Sequence, residues 1–195
     1  MRTEALLAER NAAFLAQASA LLETLPGEVY GARIPPFERG GIGAHLRHVL
    51  DHYDAVLASM EEPVAAASAV VRIDYDARER DPATERDLDV ARRRLARTLA
   101  RLESFRLRAA RGERKECELV VSMDAGERGG ENARARTLGA STVGRELQFL
   151  ISHTVHHFAL IAVALRLAGL EPDPDFGVAP STLRFESQNG GACAR

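Results

Sequence analysis

Apolar residues recur with the period of an α-helix in four stretches of the chain, and the first two lie before residue 61. Pro26 and Gly27 end the first stretch, because both residues are typical of the end of a helix. The second stretch predicts a helix from about Ile42 to about Met60. The positions that we expect in the core are Leu7, Phe14, Ala18, Leu21 and Leu25, followed by Leu46, Val49, Leu50, Tyr53, Val56 and Leu57.

Two longer helices are predicted in the second half of the chain. Thr84, with Asp87 three residues later, resembles a capping box and predicts the start of the third helix. Ser141 or Thr142 is expected to cap the fourth helix, which runs to about residue 168 and is followed by Gly169 in the C′ position. The third helix has core positions Leu88, Ala91, Leu95, Leu99 and Leu102, and an opposite face, expected in solvent, with Arg92, Arg93, Arg97, Arg101 and Glu103.

Between the third and fourth helices the pattern changes to that of a β-strand. Apolar and polar residues alternate from Cys117 to Met123, and a glycine-rich turn separates them from a second short run at 133–138. The charged residues 70–82 and the tail from about Glu171 are expected to be irregular. The sequence therefore predicts an all-α fold, a four-helix bundle with a small β-hairpin before the last helix, in a single domain over residues 1–195.

Composition excludes several classes of protein. The net charge of −2 gives no basic surface for nucleic acid. Two cysteines are too few for a secreted disulfide framework, and the charged N-terminal residues lack the apolar core of a signal peptide. The most apolar run, Phe158–Leu170, contains Arg166 and is too short for a transmembrane helix. We therefore expect a cytoplasmic protein that binds neither nucleic acid nor a membrane.

All six histidines of the chain lie in two of the predicted helices. His153 and His157 are four residues apart on the fourth helix, so they share one face, and apolar core positions lie on the same face. Two imidazoles that point into an apolar bundle need polar partners, and a metal ion held by both rings satisfies them. Histidine is the side chain that most often binds metal ions in proteins. His156 lies off this face, and we expect it either at the surface or in contact with a metal ligand.

The second helix is expected to provide the third ligand. His45, His48 and His52 line one flank of its apolar face. The helical wheel favours His45 or His52, because His48 lies farthest from the centre of the apolar arc, but it does not select one residue. Three histidine ligands leave a coordination position for water or substrate, which is typical of catalytic rather than structural zinc sites. We therefore predict a site for one divalent transition metal.

The histidine motifs resemble those of a known family. The run from His48 to Asp51 (HVLD), followed on the fourth helix by the run from His153 to His157 (HTVHH), is similar to the DinB-like metal-binding superfamily. Residues 165–172 (LRLAGLEP) also resemble the end of that family's last helix. The family consists of small four-helix proteins and includes bacillithiol transferases and mycothiol-dependent enzymes.

The resemblance implies an up-down-down-up order of the four helices and a site for nickel, zinc or iron. It assigns the ligands to His48, His153 and His157, against the helical wheel, with His45 and His52 as alternates. It also implies a homodimer and a metal-dependent transferase or hydrolase that acts on a small molecule, with a low-molecular-weight thiol as co-substrate. The alternative is a metal-binding stress-response module without catalytic activity.

Two carboxylates are secondary candidates for the site. Glu146 lies two turns before His153 on the same face. We expect it to be a catalytic base, an acceptor for a metal-binding histidine, or a residue that only forms a salt bridge or contacts the rim of the pocket. Asp51 either orients His48 or His52 through a ring N–H or is an exposed helix residue.

Overall fold

The computed structural model describes residues 3–35, 40–61, 70–77, 79–113, 118–124 and 136–190. These residues are mostly helical, with one small three-stranded sheet. The helices are α1 (Thr3–Thr24), α2 (Gly27–Tyr30), α3 (Ile42–Glu61), α4 (Pro82–Arg86), α5 (Leu88–Arg111), α6 (Val143–Leu167) and α7 (Pro180–Gln188). The strands are β1 (Val70–Asp74), β2 (Glu118–Asp124) and β3 (Arg136–Ser141).

The four long helices bury the apolar faces that the sequence pattern predicts. Every core position predicted in α3 is buried, and in α1 and α5 only Leu21, Leu88 and Leu99 are partly exposed. Apart from Phe14, these side chains join those of α6 in one continuous core. Because burial of one large aliphatic side chain contributes about 1.5–3 kcal/mol, the periodic apolar positions determine which helix faces pack together.

Contacts of α1 give its direction relative to two other helices. Leu22, near the end of α1, accepts a hydrogen bond through its carbonyl oxygen from Arg92, near the start of α5. The helices α1 and α5 therefore run antiparallel. Leu7, near the start of α1, lies beside Gly144 at the start of α6, so these two helices run in the same direction.

The two ends of α6 follow the predicted local signals. Thr142 caps the helix, because its hydroxyl oxygen accepts from the backbone N–H of Arg145 at 3.1 Å. Gly169 follows the C-terminus with φ at +78°, and the N–H of Leu170 donates to the carbonyl of Leu165 at 2.9 Å. A glycine with positive φ, followed by a residue whose N–H bonds to a carbonyl five residues earlier, forms a Schellman motif, and this motif ends the helix.

The predicted capping box before the third helix is wrong. Thr84 is fully buried within the short helix α4, which Asp81 caps by accepting from the backbone N–H of Thr84 at 3.1 Å. Asp87 itself is the N-cap of α5 and accepts from the N–H groups of the first turn. The predicted motif therefore spans two helices, because Asp81 caps α4 and Asp87, six residues later, caps α5.

The sheet has the order β1-β2-β3, and for residues 70–74 it corrects the expectation that residues 70–82 are irregular. The predicted hairpin strands are present as β2 and β3, which pair antiparallel. Residues 125–135, which include most of the predicted turn, lie outside the described residues. β1 pairs parallel with β2, from Val70 opposite Glu118 to Asp74 opposite Ser122. This pairing joins segments that are distant in sequence, so the local pattern gives no signal for it. Val71 and Ile73 point into the core and attach the sheet to α3.

The C-terminal tail is more ordered than its composition predicts. Phe176 is buried and stacks on Phe158 of α6, with 4.8 Å between ring centroids. The N–H of Gly177 donates to the side chain of Gln17 on α1 at 3.0 Å. The expectation of an irregular tail is wrong for α7, where Pro180 occupies the first turn, a position that proline favours.

A buried polar cluster joins α1, α3 and α6. The hydroxyl of Tyr53 donates to the side-chain oxygen of Asn11 at 2.7 Å and lies 3.2 Å from the hydroxyl of Thr154. The amide nitrogen of Asn11 donates to the carbonyls of Leu7 and Leu147. Because unsatisfied polar groups in a core are costly, these contacts strongly favour one register of the three helices.

Buried ion pairs join α3 to α5. Arg94, which is 7% exposed, lies 2.8 Å from Asp51 and 2.7 Å from Asp54. About two turns further along α5, Arg101 pairs with Asp54 at 2.6 Å and with Glu61 at 2.9 Å. The two helices therefore run in the same direction. The expectation that Arg101 lies in solvent is wrong, because the acidic residues of α3 face it.

Within the described residues, α6 is the one helix that is long and apolar enough to cross a membrane, judged by length and composition. The apolar stretch is therefore longer than the run Phe158–Leu170. Leu147, Leu150 and Phe158 are nevertheless fully buried in the core. Core helices often have this composition, so the finding is weak evidence for a membrane segment.

Replacement of Arg94 tests the buried ion pairs. Arg94→Ala leaves the buried carboxylate of Asp51 with fewer partners, and we expect the free energy of unfolding to fall by about 3 kcal/mol. Arg93→Ala, at an exposed position of the same helix, should change it by less than about 0.5 kcal/mol. Chemical denaturation measures both, and equal stability of the two variants would contradict this role of Arg94.

Candidate metal centre

Antiparallel packing of α3 on α6 brings the histidines of the two helices face to face. Between ring centroids, His45 lies 5.2 Å from His157, and His52 lies 4.1 Å from His153. His48 lies between these pairs, 4.9 Å from His153 and 4.6 Å from His157. Because about one helical turn separates successive histidines on each helix, the five rings form one row.

His48, His153 and His157 form a group that can hold one metal ion. One ring nitrogen of each lies within 4.8 Å of the other two, and all three side chains are half-buried. In a tetrahedral site with metal–nitrogen distances of about 2.0–2.1 Å, ligand nitrogens lie about 3.4 Å apart. The rings therefore need to approach by ~1.4 Å at most, a shift that small side-chain rotations can make. Imidazole donors suit first-row transition metals, so these residues fit such an ion.

His52 lies beside this group and outside it. Its Nδ1 lies 2.9 Å from the carbonyl oxygen of His48, and because a carbonyl only accepts, this nitrogen carries the proton. The buried ring stacks on Tyr75 with 5.1 Å between centroids. These two contacts fix the orientation of His52 next to His153.

His45 also lies outside the group and contacts it through His157. The Nδ1 atoms of the two rings are 3.1 Å apart, so one ring donates a hydrogen bond to the other. Burial lowers the pKa of His45, and the charge of His156 lowers it further. Both effects favour the neutral form of His45.

His156 is exposed, in agreement with its position off the core-facing side of α6. Its ring lies edge-on to that of His157, with 5.0 Å between centroids. It is not part of the three-histidine group, so it provides a matched control on the same helix.

Aromatic rings cover the end of the row at His52 and His153. Phe149 stacks on His153 with 5.4 Å between centroids, and Tyr75 lies 5.3 Å from Phe149. The histidine pattern did not single out Phe149, although its position four residues before His153 places it on the same face. The sequence pattern also gave no sign that Tyr75 lies beside His52 and Phe149. Tyr75 directly follows β1, so its place depends on the parallel pairing of that strand with β2.

The carboxylate of Glu146 is fully buried and held by three donors. The hydroxyls of Tyr75 and Ser141 donate to its two oxygens, and the guanidinium of Arg145 lies 2.7 Å from Oε1. Burial raises the pKa of Tyr75, and the hydrogen bond to Glu146 raises it further, so the phenol stays protonated and donates. Glu146 is linked to the histidines through Tyr75, whose ring stacks on His52.

Asp51 fits neither of the roles expected for it. Its side chain is buried and pairs with Arg47 at 2.7 Å and with Arg94 at 2.8 Å. Asp51 therefore holds α3 against α5. The spacing of Arg47 and Asp51, four residues apart on one helix, is the local signal for the first of these pairs.

Comparison with known proteins identifies the family. The family model described as the DinB superfamily matches residues 12–161, a range that includes all six histidines. No curated protein and no solved structure matches the chain. The match covers more than half of the chain and confirms the resemblance that the histidine motifs indicated. The chain therefore belongs to the DinB superfamily.

Proposed function

We propose that the chain binds one divalent transition metal, nickel, zinc or iron, through His48, His153 and His157. The observation that carries this proposal is the approach of three ring nitrogens to within 4.8 Å of one another from two antiparallel helices. Three protein ligands leave a coordination position for an exogenous ligand, as in catalytic zinc sites. Membership of the DinB superfamily supports the same assignment, because the histidine motifs of the chain resemble those of its metal-binding members.

We infer that the four long helices have the up-down-down-up order. Support comes from the antiparallel contacts of α1 with α5 and of α3 with α6. The parallel contacts of α3 with α5 and of α1 with α6 agree with it. In this order, both histidine-bearing helices lie side by side in the bundle.

The reaction that fits the site best is a metal-dependent transfer or hydrolysis on a small molecule, with a low-molecular-weight thiol as co-substrate of the transfer. A bound divalent metal lowers the pKa of a thiol or a water molecule and so provides a nucleophile at neutral pH. In transfer to an epoxide, the thiol sulfur forms a bond to a ring carbon and the C–O bond breaks. The proton of the thiol ends on the released oxygen.

The residues around the three histidines have distinct roles in this proposal. The rings of His52, Tyr75 and Phe149 pack against the His153 end of the row and exclude water there. Glu146 keeps Tyr75 in place through the hydrogen bond that it accepts. We assign Glu146 to positioning and not to base catalysis, because three donors already engage its oxygens.

The three donors that contact the carboxylate of Glu146 also support a second candidate function. Glu146 is the carboxylate that the sequence offered as a base, and its hydrogen bonds leave it poorly suited to proton transfer. A metal-binding stress-response module without turnover needs no such base. Measurement of turnover by the metal-loaded protein separates the two functions.

Removal of one proposed ligand should abolish metal retention. His153→Ala removes a half-buried ring on one face of α6, so most of the helical circular dichroism should remain while the bound metal is lost. His156→Ala, three residues along the same helix, should keep one metal per chain. Elemental analysis of protein purified without an affinity tag or chelator measures this. A full equivalent of metal in His153→Ala would contradict the ligand assignment.

Replacement of Glu146 by glutamine separates positioning from metal binding. Glutamine has one acceptor oxygen, so at least one of the three donors loses its partner, and the free energy of unfolding should fall by about 1–3 kcal/mol. Metal content should stay at the wild-type level. Glu171→Gln, at an exposed position, should change stability by less than about 0.5 kcal/mol. A normal stability of Glu146→Gln combined with lost turnover would instead identify Glu146 as a catalytic base.

The metal-loaded protein should conjugate a thiol to an epoxide or a haloarene. The rate should depend on the metal and should persist at a pH where the free thiol is mostly protonated, because metal coordination favours the thiolate. His48→Ala should lose activity together with the metal, and His156→Ala should retain most of it. Bacillithiol, mycothiol, glutathione and coenzyme A form the test panel. No turnover with any of these thiols, in protein shown to contain metal, would favour the binding module.

A further inference from the structure

His45 and His157 meet nitrogen to nitrogen at the end of the histidine row nearest the start of α3. Their Nδ1 atoms are 3.1 Å apart, a hydrogen-bond distance. Each neutral imidazole has one N–H and one lone pair, so one of these nitrogens donates and the other accepts. The contact therefore couples the tautomers of the two rings.

We propose that His45 is a positioning residue, which accepts a hydrogen bond from Nδ1–H of His157 and so presents Nε2 of His157 to the metal. The inference rests on the proposed metal site. A nitrogen that binds a metal must offer its lone pair, and Nδ1 of His157 is occupied by His45. Nε2 is therefore the ligand atom, the proton of His157 lies on Nδ1, and the proton of His45 lies on its own Nε2.

This role explains why His45 lies next to the three-histidine group without joining it. Metal-binding histidines usually donate their second N–H to an acceptor, and that partner fixes the orientation and tautomer of the ring. A carboxylate or a backbone carbonyl is the common acceptor, whereas here the acceptor is another imidazole. His45 precedes His48 by three residues on α3, so the same helix provides a ligand and the partner of a second ligand.

The two flanking histidines of α3 use the same atom in opposite ways. Nδ1 of His52 donates to the carbonyl of His48, so it cannot accept a hydrogen bond from another ring. Nδ1 of His45 instead lies 3.1 Å from Nδ1 of His157 and accepts from it in the proposed arrangement. His45 therefore acts as a hydrogen-bond acceptor for His157, whereas His52 packs between Tyr75 and His153.

Metal affinity measured on three variants tests the inference. His45→Leu removes the acceptor and should weaken the binding of Zn²⁺ and Ni²⁺, measured by competition with a chelator, by about 10–100-fold. His45→Asn keeps an amide oxygen close to the position of Nδ1 and should recover most of the affinity. His156→Ala is the matched control and should bind like the wild type. All three variants should have the wild-type circular dichroism and unfolding midpoint without metal.

Nitrogen NMR of the zinc-loaded protein provides a second readout. In the wild type, His157 should carry its proton on Nδ1 and share it in a hydrogen bond with Nδ1 of His45, and His45→Leu should lose this hydrogen bond. Unchanged metal affinity of His45→Leu, or protonation of wild-type His157 on Nε2, would overturn the role of His45 and leave the three-histidine site intact. Absence of metal binding by the wild type would instead reject the proposed function and this inference with it.

Discussion

The register of α3 against α6 is the constraint on which the candidate metal centre depends. A slide of one helical turn, about 5.4 Å, would separate His48 from one of its two neighbours on α6. The buried hydroxyl of Tyr53, one turn beyond His48, opposes this slide because it contacts Thr154 on α6 and Asn11 on α1. The core polar cluster thus determines which histidines face each other.

Two further sets of contacts hold α3 and α6 in their positions. On one side of α3, Asp51 and Asp54 pair with Arg94 of α5, and these charges are buried or half-buried. At the start of α6, Glu146 accepts hydrogen bonds from Tyr75 after β1 and from Ser141 of β3. The small sheet is therefore connected to the site, because it delivers Tyr75 to the ring of His52. The geometry of a candidate metal centre needs such support, since side chains on unsupported helices are poorly oriented.

The sequence predicted those parts of the site that depend on one helix and left open those that depend on two. The spacing of His153 and His157 places both on the core side of α6 whatever packs against it. The choice among His45, His48 and His52 depends on the rotation of α3 about its axis, which the polar cluster and the ion pairs with α5 determine. The helical wheel favoured the flanking histidines, and only the family resemblance pointed to His48. Local patterns also gave no signal for β1, whose partner is distant in sequence, or for α7, whose composition is typical of a loop.

X-ray absorption at the metal edge of the loaded protein reports the atoms bound to the metal and so tests the three-histidine site. For zinc, we expect three imidazole nitrogens at about 2.0–2.1 Å, with the remaining scattering from light atoms of an exogenous ligand. A sulfur ligand from the protein, or fewer than three imidazoles, would contradict the assignment of His48, His153 and His157 as the metal centre.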